Sequence, residues 1–68
     1  MSKLITTPNI EDGDGFYAEL LSASANMSKE ELSLFNARLV LLLANHIGER
    51  DLLTQAIDLA KLSENAAP

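Results

Sequence analysis

At 68 residues, with a formal net charge of −5 and 47% hydrophobic residues, the chain has the composition of one small folded domain. It has no Cys and a single His. That excludes disulfides, thiolate metal sites and a His-only zinc site, and leaves oligomerisation as the usual way for so short a chain to complete a core.

Residues 1–14 read as an extended N-terminal arm. Thr6-Thr7-Pro8-Asn9 breaks regular structure, and Glu11-Asp12-Gly13-Asp14-Gly15 is dense in turn formers. The opening Met1-Ser2-Lys3-Leu4 leads into Thr and Pro rather than an apolar run, so no secretory signal is expected and a cytoplasmic protein is the default. A calcium loop at Asp12-Gly13-Asp14-Gly15 fails. Aligning Gly15 with the loop glycine puts Ile10 and Leu21 where the first and last acidic ligands belong. Asp12 or Asp14 is instead the candidate cap of a first helix over about residues 16–25. Phe16, Leu20 and Ala23 share one face of it, with Tyr17 and Leu21 beside them.

The second helix is expected over residues 29–47. Ser28-Lys29-Glu30-Glu31 has the form of a capping box, Met27 and Leu32 stand at the positions of a hydrophobic staple, and Gly48 suits the left-handed residue after a helix end. A third helix follows over about residues 50–62, with Leu52, Leu53, Ala56, Ile57 and Ala60 as its apolar stripe. Residues 63–68 read as a frayed tail. No stretch alternates as a strand would. The expected fold is therefore all-α: a short three-helix domain over residues 15–62 with short antiparallel connections and an extended arm, completed by dimerisation.

The second helix is apolar around much of its circumference. At about 100° per residue two stripes separate. Leu32, Phe35, Leu39, Leu43 and Ile47 form the broader one, flanked by Asn36 and His46, and are expected to pack on the other two helices. Nearly opposite run Leu34, Ala37, Leu41 and Ala44, spaced as a heptad seam that alternates large with small. Arg38 and Asn45 lie one heptad apart along one edge of this seam, and Ser33 borders the other. A helix with only its own core to satisfy would carry charge there. The candidate interface is accordingly Leu34, Ala37, Arg38, Leu41, Ala44 and Asn45. Its simplest closed form is a symmetric homodimer with the two copies of this helix antiparallel.

The basic residues Lys3, Lys29, Arg38, Arg50 and Lys61 are scattered and make no stripe, so nucleic acid and anionic membrane surfaces are not expected partners. The apolar run Leu39 to Ala44 is far too short to span a bilayer. His46, followed by Glu49, Arg50 and Asp51, is the weak candidate for a ligand. It suits a helix C-terminus through the macrodipole, and a lone His without a nucleophile specifies no reaction. No nucleophile elbow or phosphate loop occurs, so no catalytic, cofactor or metal residues are assigned.

Asn36-Ala37-Arg38 through Leu41-Leu42-Leu43-Ala44-Asn45-His46-Ile47-Gly48, with Phe16-Tyr17 and Leu20, resembles the family of very short bacterial proteins known as DUF2783, a domain of unknown function, over roughly residues 9–62. Relatives often carry a His-x-Gly element between the first two helices, where this chain has Ser24-Ala25-Asn26. Any site built on that His is therefore not expected here. The resemblance brings no activity. The family's genes often lie near those of flavin-dependent monooxygenases of aromatic catabolism, which implies an accessory role. The expected function is a non-enzymatic helical interaction module: a homodimer, and a small accessory subunit of a metabolic enzyme. The alternatives are a small-molecule or metal-binding module using His46 at a subunit junction, and a regulator that docks on another protein through the second helix.

Overall fold

A computed structural model describes the backbone of residues 2–66 and the side-chain surroundings of residues 2–61. Three helices follow one another: α1 (Gly13–Ser24), α2 (Lys29–Ile47) and α3 (Arg50–Ala66). There is no strand among the described residues, and no described helix is long and apolar enough to cross a membrane.

Local chemistry accounts for the ends of α1 and α2. Asp12 caps α1 from a left-handed conformation at φ 50°, which Asp tolerates better than most residues. Its carboxylate accepts the Gly15 N–H at 3.1 Å, and a Cβ at position 15 would collide with that carboxylate. The helix therefore starts three residues earlier than the expected Phe16. At its far end the Ser24 hydroxyl turns back to the Leu20 carbonyl at 3.1 Å.

The capping box of α2 is complete. The Glu31 N–H donates to Ser28 Oγ at 3.1 Å, and the Ser28 N–H donates to Glu31 Oε1 at 2.8 Å. Gly48 closes the helix at φ 74°, its N–H on the Ala44 carbonyl at 2.8 Å. This is the left-handed cap that glycine adopts without a Cβ penalty. α3 begins two residues later and runs to Ala66, about a turn past the expected end at Leu62, so it takes in the first residues of the expected tail. Residues 67 and 68 lie outside the described residues.

The arm is extended and is tied to α3. The Leu4 N–H donates to Gln55 Oε1 at 3.1 Å, and Gln55 Nε2 donates to the Ser2 carbonyl at 3.0 Å. The amide thus holds the backbone on both sides of Lys3, as a parallel strand neighbour would. Leu4 and Ile5 lie over a hollow of about 300 Å³ walled by Ile47, Leu52, Leu53 and Ala56.

Among the described residues no two helices pack along their length. Here the expected intramolecular core does not form. Of the broad stripe of α2, Phe35 and Leu39 are half-buried, while Leu32, Leu43 and Ile47 stay 38%, 49% and 51% exposed. None of the described residues is buried. The radius of gyration is 13.6 Å, where a compact chain of this length has about 11 Å. The physical reason lies in α2 itself. Its apolar residues point to opposite sides, and two short helices and an arm offer too little surface to cover both.

Candidate protein–protein interface

The seam residues of α2 stand open. Leu34 and Leu41 are 54% and 69% exposed. Ala37, Arg38 and Asn45 are exposed as well, and Ala44 is half-buried. Beside the seam Val40 and Leu42 are also largely exposed, so the apolar surface is broader than the six residues the sequence singled out.

The structure brings part of that set together with residues from beyond the helix. Leu41, Ala44, Asn45 and Gly48, with Arg50 and Leu53 of α3, line a shallow, open hollow of about 350 Å³. The spacing of the first four, three then one then three, is that of the four-residue hole into which a facing helix inserts a side chain. Arg38, Leu41, Leu42 and Asn45 wall an adjoining hollow of about 410 Å³ with almost wholly apolar lining. Leu34 lies two turns and Ala37 one turn back from Leu41 along the helix, and neither lines either hollow.

Sequence reasoning missed Gly48, Arg50 and Leu53 as parts of this surface. Gly48 was legible, since it continues the heptad from Leu34 and Leu41, but its role as a helix stop masked its place on the seam. Arg50 and Leu53 belong to the next helix, and only the angle of the turn at Gly48 brings them alongside. Gln55 was also missed, and its link to Ser2 and Leu4 leaves no signal in local pattern.

His46 is exposed and lines neither hollow on the seam. Among the described residues no group of three or more His, Asp or Glu is placed to hold a metal ion. Another concavity, about 680 Å³, lies between the arm and the start of α1. Residues 5–10 with Gly13 and Asp14 wall it, and Asp14 is the one titratable group among them.

Chemically, the seam offers dispersion and desolvation with a polar rim of Arg38, Asn45 and Arg50. An apolar patch with a polar rim is the general anatomy of protein–protein interfaces. Comparison with curated proteins and with solved structures finds no match. The family model described as a protein of unknown function, DUF2783, matches residues 4–62, which is most of the chain, and the chain belongs to that family.

Proposed function

We propose that this protein is a non-enzymatic, all-helical interaction module that assembles as a homodimer through Leu34, Ala37, Arg38, Leu41, Ala44 and Asn45 of α2. One observation carries the reading. The single chain exposes 6252 Å², whereas a compact monomer of its mass of 7.4 kDa exposes about 4,200 Å². The excess, about 2,000 Å² per chain, amounts to about 4,000 Å² for two chains, within the range that obligate homodimers bury. Among the described residues fourteen large apolar side chains, from Ile5 to Leu59, are exposed. Val40 and Leu42, flanking the seam, give such a dimer an apolar margin against which a larger enzyme would hold it as an accessory subunit.

Sedimentation equilibrium over a wide concentration range, with far-UV circular dichroism on the same samples, tests the reading. The expected result is a dimer whose helicity falls as dilution separates the copies, since helices of this length are marginal alone. A monomer that keeps its helicity at every concentration would overturn it.

A further inference from the structure

The exposed seam also specifies how a second copy would lie on it. This step rests on the self-association proposed above and goes beyond it to direction and register. We infer that the two α2 helices pack antiparallel, with Leu34 of each copy inserted into the hollow walled by Leu41, Ala44, Asn45 and Gly48 of the other.

Along the seam, Glu30, Leu34, Ala37, Leu41, Ala44 and Gly48 follow at alternating spacings of four and three. Both leucines fall on one of the two heptad positions, and both alanines on the other. Parallel helices set like positions against each other. Leucine would meet leucine, alanine would meet alanine, and the hollow of about 350 Å³ would receive only the methyl group of Ala44. Glu30 would also face Glu30, a like-charge pair. Antiparallel helices set unlike positions against each other. Leu34 then meets Ala44 and Ala37 meets Leu41, so every layer holds one large and one small side chain and the helix axes can approach closely.

The ends of α2 select the register. In this alignment Glu30 falls level with Gly48 of the second copy, near Arg50, another residue that lines the hollow. The acidic N-terminal end of each helix thereby meets a cation. Sliding by one heptad in one direction sets Leu41 against the Glu30 carboxylate. Sliding the other way carries Leu34 past Gly48, where the partner helix has ended. Only the stated register keeps all four apolar seam residues in contact on both copies.

Two experiments test it. The native chain has no Cys, so introduced thiols report geometry without background. Leu34→Cys mixed with Ala44→Cys is expected to give a disulfide heterodimer under mild oxidation, and neither variant alone to link to itself. In the second experiment Ala44→Leu fills the hollow and is expected to weaken self-association at least about 30-fold, two overfilled sites per dimer. Adding Leu34→Ala exchanges the large and small partners and is expected to recover most of the loss. Self-linking of Ala44→Cys would mean parallel helices and overturn the inference while leaving the homodimer intact. A native dimer that links in no combination, or a swap that gives no rescue with the cysteine mixture also unlinked, would move the interface off the seam and overturn it too. A native chain that sediments as a monomer would overturn the proposed function first.

Discussion

Leu41→Glu separates an open helix face from an interface. In the single chain Leu41 is 69% exposed, sits inside α2 two turns before its C-cap and takes no part in either cap. Glu and Leu have similar helix propensities, so on a face that stays in water the change is expected to fall within about 0.5 kcal/mol of neutral. On a self-interface the outcome differs. Full burial of a leucine side chain is worth about 1.5–3 kcal/mol, so the exposed share stands for about 1–2 kcal/mol per copy and about 2–4 kcal/mol per dimer. That corresponds to a rise in dimer Kd of about 30- to 1,000-fold, with the desolvation of two carboxylates added to it. Sedimentation equilibrium of the native chain and the variant reads the Kd directly. Thermal melts at two protein concentrations give a second readout, because a dimer's Tm rises with concentration and a monomer's does not. A variant Kd within threefold of the native value, or identical melts, would refute the reasoning.

Other substitutions probe the remaining contacts. Ser28→Ala removes the acceptor of the Glu31 N–H while the backbone N–H at position 28 still donates to the Glu31 carboxylate, and is expected to cost about 1 kcal/mol, or about 4–8 °C of Tm at fixed protein concentration. Gly48→Ala meets no neighbour in its own chain closer than the Asn45 carbonyl oxygen at 3.7 Å, so its cost within one chain is conformational, about 1 kcal/mol for holding Ala at positive φ; in the proposed dimer the added methyl also crowds the hollow that receives Leu34, and the same melt reads the sum. Gln55→Ala deletes both hydrogen bonds to the arm. Amide exchange at Leu4 is expected to rise toward that of a free peptide while the helical signal is unchanged. His46→Ala is expected to leave both the sedimentation profile and the melt within error, since the ring is exposed and lies off the seam hollows. A loss of association in that variant would favour the alternative in which His46 acts at a subunit junction.

The helices were legible because their ends are written in neighbouring residues. The reciprocal bonds of Ser28 and Glu31 span three residues, and Gly48 stops α2 by its own φ, so both ends of that helix follow from local pattern. α1 was placed three residues late for an equally local reason. Asp12 caps from a left-handed conformation over a glycine, so the helix takes in Gly13-Asp14-Gly15, residues whose propensities argue for a turn. The two stripes of α2 were also legible, as 3.6-residue periodicity carries that information. What covers each stripe was not. The broad stripe was expected on the chain's own helices, yet Leu32, Leu43 and Ile47 remain exposed and, among the described residues, no helix pair packs along its length.

The sequence by itself determined three helices, their caps, an extended arm and an α2 apolar on opposite sides, because hydrogen bonds within a turn and the helical repeat act between residues at most a few positions apart. Only the tertiary structure decided that Gln55 holds the arm across more than fifty residues. It also decided that the turn at Gly48 lays Arg50 and Leu53 beside the end of the seam, and that the single chain leaves its apolar faces uncovered. These outcomes depend on the direction in which each connection sends the next helix and on how much surface is left to meet it, and residue spacing along one helix does not encode either.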